Sequence, residues 1–124
     1  MRAIHTDEAP APAGHYSQAI VHDGVAYVSG QLPMDPKGKA LGDASVQHQT
    51  RVVLGNIDAI LRAAGSGLDR ALQVTIYVTD IAHWPAVNEA YIEVMGDHRP
   101  ARAVIPVNEL HYGVALEVQA IAAV

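Results

Sequence analysis

A chain of 124 residues, half of them apolar and none of them cysteine, has room for one domain whose core buries roughly two-thirds of the unfolded surface. The lack of cysteine excludes disulfides, thiolate catalysis and cysteine-based zinc sites, and it fits a reducing cytoplasm. Eight Lys and Arg against thirteen Asp and Glu give a formal charge of −5, the wrong sign for a phosphate-binding surface, so nucleic acid is not an expected partner.

The chain opens on Met1-Arg2-Ala3-Ile4-His5, which lacks the apolar segment of a secretion signal. No later run approaches the ~18 apolar residues of a membrane span, so a cytoplasmic protein away from membranes is expected. Arg2 to His5 can form a short first strand, and the Ala-Pro-Ala-Pro-Ala stretch at 9–13 is an extended lead-in. Two β-prone runs, Ala19 to His22 and Val25 to Ser29, flank Asp23-Gly24, a strong hairpin signal. Pro33, Pro36, Gly38 and Gly42 mark residues 32–44 as a long loop.

Asp43 or Ser45 caps a helix that lacks the full capping box, since Val46 and His48 stand three residues further on. Val46, Val53, Leu54, Ile57, Leu61 and Ala64 form its apolar stripe. Gly65-Ser66-Gly67 follows a helix C-terminus instead of preceding an N-terminus, so it is a stop signal and not a phosphate cradle. Ala71 to Val78 alternates and is rich in β-branched residues, a strand. Asp80 caps a second helix with Trp84, Val87, Tyr91, Val94 and Met95 on one face. Arg102 to Val107 and Ala115 to Ala123 are the closing strands. The order β-β-α-β-α-β-β predicts an α+β fold over 1–124, a single sheet with two helices packed on one face.

Strand alternation predicts what each face of that sheet carries. Leu72, Val74, Ile76 and Val78 point toward the helices, as do Leu116, Val118 and Ala120; Gln73, Thr75, Tyr77, Glu117, Gln119 and Ile121 point away. Tyr27 shares a face with Ser29, and Arg102 with Val104. The second face thus mixes Tyr, Val and Ile with Gln, Thr, Arg and Glu, the character of an interface or cleft. Other copies of the chain are expected to cover it.

Several residues can carry chemistry. Arg102 begins an otherwise apolar strand; its fork suits either a structural ion pair or a ligand carboxylate. Glu117, inside Leu116-Glu117-Val118, is either a solvent-facing strand residue or a carboxylate that activates water. Tyr16 can be an ordinary loop ring, and Asn88 a merely exposed helix residue. Gly30, after Ser29, allows close approach to a ligand. No nucleophile elbow surrounds Ser29. Seven histidines include no i, i+4 pair and no His-x-His, so no metal is expected. His111, just before the Glu117 strand, and His15, beside Tyr16, are the two histidines placed near these residues.

In this order, Ala11-Pro12-Ala13-Gly14-His15-Tyr16-Ser17-Gln18, Val28-Ser29-Gly30-Gln31-Leu32-Pro33, Asn56 to Gly65, Val87-Asn88-Glu89-Ala90-Tyr91, Pro100-Ala101-Arg102 and Leu116-Glu117-Val118-Gln119-Ala120-Ile121-Ala122 resemble the RidA/YjgF/YER-type family of imine and enamine deaminases. The resemblance covers nearly the whole chain. It implies a chorismate-mutase-like fold, a homotrimer, and clefts between neighbouring subunits. It also implies cofactor-independent hydrolysis of 2-imino or 2-enamino acids, such as 2-iminobutanoate and 2-iminopropanoate, to 2-keto acids and ammonia. Carried over position by position, the carboxylate-binding arginine is Arg102 and the water-holding glutamate is Glu117. Tyr16, Ser29, Gly30 and Asn88 match pocket residues, and Val104 contributes its backbone carbonyl. This sequence departs from the family pattern in three places. His15 replaces a proline usual before the tyrosine, Val104 replaces a cysteine often found two residues after the arginine, and the loop before Pro100 is shorter than in some relatives. These departures bear on substrate identity more than on reaction type.

Other functions are open to the same residues. A trimeric sensor that binds small carboxylates would use Arg102 without Glu117, and a pathway-specific deaminase could act on an aminomuconate-type compound. Chorismate mutase chemistry lacks a basic cluster for two carboxylates. Ribonuclease activity, claimed for some relatives, conflicts with the acidic charge.

Overall fold

The computed structural model describes residues 1–124. Its strands are β1 (Arg2–Ile4), β2 (Ala19–His22), β3 (Val25–Gln31), β4 (Ala71–Val78), β5 (Ala101–Pro106) and β6 (Leu116–Ala123), and its helices are α1 (Val46–Ala63) and α2 (Trp84–Met95). One six-stranded sheet runs β1-β2-β3-β6-β4-β5, with β4 and β5 parallel and every other pair antiparallel. This is the expected α+β arrangement, with the short first strand present.

Local chemistry explains the elements. Asp23 and Gly24 both take positive φ, 50° and 75°, the backbone of the tight turn whose twist matches two antiparallel strands. Ser45, not Asp43, caps α1, its side chain accepting from the His48 N–H at 3.1 Å. Gly65, at φ 82°, stops that helix, and Ser66 Oγ donates to the Ala123 carbonyl, joining the loop to β6. Asp80 caps a single 3-10 turn (Ile81–His83) through the Ala82 N–H. α2 starts after that turn, with Pro85 in its first turn.

The core lies between the helices and one face of the sheet. Val53, Leu54, Ile57, Ile60 and Leu61 of α1 and Val87 of α2 pack fully buried against Val74, Ile76, Val78, Leu116 and Val118. Two positions depart from the expected faces. Leu72 is half-exposed because a register irregularity between Ala71 and Gln73 interrupts the β4–β6 ladder. Val94 is also exposed, since the buried stripe of α2 runs through Val87, Ala90, Tyr91 and Met95.

A third departure affects the site. Arg102 and Val104 pair with Val74 and Ile76 across the parallel β4–β5 ladder. They therefore share the helix-facing side of the sheet instead of the second face. Glu117 pairs with Tyr77, which pairs with Ile105, and these three lie on the opposite side. Alternation within β5 alone could not assign its sides; only the register against β4 does. The second face does carry the mixed chemistry expected of it: Tyr27 and Ile105 are exposed there, near Gln119 and half-buried Tyr77 and Ile121.

Candidate functional site

Glu117 sits at the base of a cleft of about 480 Å³. The cleft is framed by the 10–16 segment, the β3 end from Ser29 to Leu32, and His111-Tyr112. Three buried amides hold these walls in place. Gln18 donates to the Pro10 carbonyl at 2.9 Å and accepts from the Thr6 N–H at 2.7 Å, pinning the extended lead-in. Asn56 donates to the Met34 carbonyl at 2.8 Å, holding the long loop. Gln49 donates to the Ala44 carbonyl at 2.9 Å and accepts from the Ala115 N–H at 2.8 Å, which fixes the start of β6. Buried amides stay satisfied only in this loop arrangement, so each specifies its wall. Spacing marked none of the three, since a lone Gln or Asn carries no such signal; Gln18 and Asn56 entered only as ends of two family-like stretches.

Between Val28 and Gln31, β3 spends three residue steps against two in β6, from Ala120 to Val118. The extra residue is a bulge at Ser29-Gly30. It returns Gln31 to the buried side and brings the Gly30 backbone against Glu117. A Cβ at Gly30 would collide with the Glu117 carboxylate. Because that carboxylate ends a flexible side chain, Gly30→Ala is expected to displace it at little cost to the fold. The melting temperature should move by no more than about 1 kcal/mol implies, while any activity that depends on Glu117 falls at least about tenfold. Parallel thermal melts and rate measurements check this.

The electrostatics of the cleft follow from burial. Desolvation pushes the Glu117 carboxyl above its ordinary range, and the nearby His111 charge pulls it part of the way back. His111 occupies a 3-10 turn (His111–Gly113) in which Tyr112 takes the left-handed φ of 62°. That turn packs on Gly42, where a Cβ would stand 2.8 Å from the Tyr112 carbonyl oxygen. Ser29 Oγ donates to the Ser17 carbonyl at 2.6 Å, an arrangement that secures the loop and supplies no base to a nucleophile. Tyr16 stands half-exposed at the mouth, and its hydroxyl accepts from the Ala13 N–H. His15, also exposed, does not line the cleft.

Arg102 lies elsewhere. It lines a second cavity, also about 480 Å³, with Asn88, Tyr91, His98 and Arg99 among its neighbours. Nη1 donates to Asn88 Oδ1 at 3.2 Å. Arg51 and Arg62 are paired with Glu93 and Asp58, but no carboxylate stands within ion-pair distance of Arg102. The alternative of a structural ion pair therefore does not hold within this chain. The predicted site residues form two groups: Tyr16, Ser29, Gly30 and Glu117 in one cleft, Arg102 and Asn88 in the other. Val104 is half-buried, packed against the core, and lines neither. No three His, Asp or Glu side chains cluster as metal ligands.

The family model described as endoribonuclease L-PSP matches residues 6–124. The goat 2-iminobutanoate/2-iminopropanoate deaminase is 40% identical over 121 residues, covering 98% of this chain and 88% of the goat protein. The crystal structure of RidA from an Antarctic Psychrobacter superposes with a TM-score of 0.94 at 33% identity, covering 100% of both chains. Escherichia coli TdcF, solved with bound serine, gives the same TM-score and identity over 100% of this chain and 99% of its own. A match that runs almost from end to end, at these identities and on this topology, places the chain in the RidA/YjgF family.

Proposed function

We propose that this protein hydrolyses 2-imino and 2-enamino acids to 2-keto acids and ammonia, in a site assembled from the Glu117 cleft of one copy and the Arg102 cavity of another. The observation that carries this reading is a desolvated carboxylate at the base of a cleft, together with a guanidinium that no acid of its own chain neutralises. Each half lacks what the other supplies. The exposed apolar and polar residues of the second sheet face, and of edge strand β5, supply a surface on which a second copy can bring the halves together. The goat deaminase supports the reaction class and serine-bound TdcF supports a small carboxylate ligand.

In the proposed reaction Arg102 holds the substrate carboxylate through a charge-assisted pair, a contact worth roughly 1.5–3 kcal/mol. Water held by Glu117 attacks the imine carbon, forming the C–O bond as Glu117 accepts a proton. That proton passes to the nitrogen and gives a 2-amino-2-hydroxy acid; Glu117 then takes the hydroxyl proton and delivers it to the nitrogen, the C=O bond forms as the C–N bond breaks, and ammonia leaves a 2-keto acid. The raised proton affinity of Glu117 suits a group that must both take and return a proton. Free imines already react with water, and each further tenfold of rate needs only about 1.4 kcal/mol. Positioning and one base are sufficient for that.

The direct test generates 2-iminobutanoate with an amino-acid oxidase and follows semicarbazone formation. Added protein should shorten the lifetime of the imine in proportion to its concentration. An unchanged lifetime alongside tight 2-oxobutyrate binding would instead favour a non-enzymatic carboxylate binder.

A further inference from the structure

Trp84, Asn88 and Tyr91 stand at i, i+4 and i+7 of α2, a spacing that places all three on one helix face. Arg102 of β5 lies against that face. Its guanidinium carbon is 4.7 Å from the Trp84 ring centroid and 4.8 Å from that of Tyr91, and Asn88 takes Nη1 between them. Both distances are within cation–π range. We propose that Trp84 and Tyr91 are positioning residues that hold the Arg102 guanidinium in one plane while leaving its charge unspent for a ligand carboxylate. The inference rests on the carboxylate-binding role proposed for Arg102.

The physical reason is competition. An acid can also orient a guanidinium, but a carboxylate partner would occupy the same fork that an incoming carboxylate needs. Aromatic faces attract the cation without occupying its N–H groups. Asn88 takes one nitrogen through a neutral oxygen. Nε and Nη2 have no acidic partner within the chain, and together they are the side-on fork that matches a planar carboxylate. The fork is thus oriented before the ligand arrives, which removes part of the ordering cost of binding. Tyr91 fits this role in a further way. Its ring is fixed in the core with Val87 and Met95, so it forms a rigid wall.

Leucine and phenylalanine at position 84 separate a stacking role from packing, because both fill apolar space but only phenylalanine presents a π face. Trp84→Leu should weaken 2-oxobutyrate binding and raise KM for the imine about tenfold, with kcat changed less than about threefold. Trp84→Phe should recover most of that loss. Equal affinities in the leucine and phenylalanine variants would overturn the proposal. The wild type provides a second measurement that needs no variant. Trp84 is the single tryptophan, so saturating 2-oxobutyrate should change its fluorescence, and Arg102→Ala should abolish the change. Calorimetric binding with silent Trp84 emission would also count against the clamp. Arg102→Ala keeps the two ideas apart. If it binds 2-oxobutyrate as tightly as wild type, the assignment of Arg102 fails; if it loses binding while Trp84→Leu does not, only the clamp fails.

Discussion

Glu117→Gln is expected to lower the imine-hydrolysis rate by about 10²- to 10⁴-fold while leaving 2-oxobutyrate binding close to that of wild type. The amide keeps the shape of the side chain but cannot accept the proton of the attacking water. The same change should stabilise the protein at neutral pH. Burial raises the Glu117 carboxyl above its ordinary range, so the ionised form is less favourable in the folded chain than in the unfolded one. A raised folded-state value means that the stability of the protonated form is fully present below the unfolded carboxyl range, near about pH 4.3. It is lost as pH rises through the folded value. Wild type and Glu117→Gln should therefore melt together in acid, and the variant should melt higher at pH 7. Rate, binding and melting on the same preparations check all three expectations. A variant that hydrolyses the imine at the wild-type rate would remove Glu117 from the chemistry.

The second large effect concerns the division of the site between copies. Arg102→Ala alone should abolish 2-oxobutyrate binding and deamination, because the substrate carboxylate loses its only proposed cationic partner. Glu117→Gln alone is also nearly inactive. If one copy supplies Glu117 and its neighbour Arg102, mixing the two dead variants during assembly restores intact sites. With random mixing, about one quarter of the sites in a cyclic oligomer receive both native residues. Co-refolding the two purified variants in equal amounts should thus recover roughly that fraction of wild-type activity. A site contained within one chain would recover nothing. The experiment distinguishes a shared cleft from a hidden rearrangement that brings Arg102 and Glu117 together inside a single protomer.

Much of the fold was legible from local patterns, because those patterns report local physics. The Asp23-Gly24 turn, the α1 stripe through Leu54, Ile57 and Leu61, and the Gly65 stop each depend on a few neighbouring residues. The β6 alternation also read correctly, with Leu116, Val118 and Ala120 inward and Glu117 and Gln119 outward. Where alternation failed, a bulge or a register was responsible. Leu72 turned out to solvent at an irregularity in β4, and Gln31 turned in after the bulge at Ser29-Gly30. One extra residue in a strand leaves no mark in composition, yet it reverses every side chain beyond it.

Residue types alone singled out Arg102 and Glu117, a fork-shaped cation and an acid in otherwise apolar strands, and the family resemblance gave each a role. Their placement was decided elsewhere. The parallel pairing of β5 on β4 carried Arg102 to the helix side, onto Trp84 and Tyr91, while Glu117 stayed on the other face beneath Gly30 and His111. Sequence determines which side chains a strand offers and in what alternation. Which of them meet depends on hydrogen-bond register between strands far apart in the chain, and that is settled only when the whole sheet closes over its core.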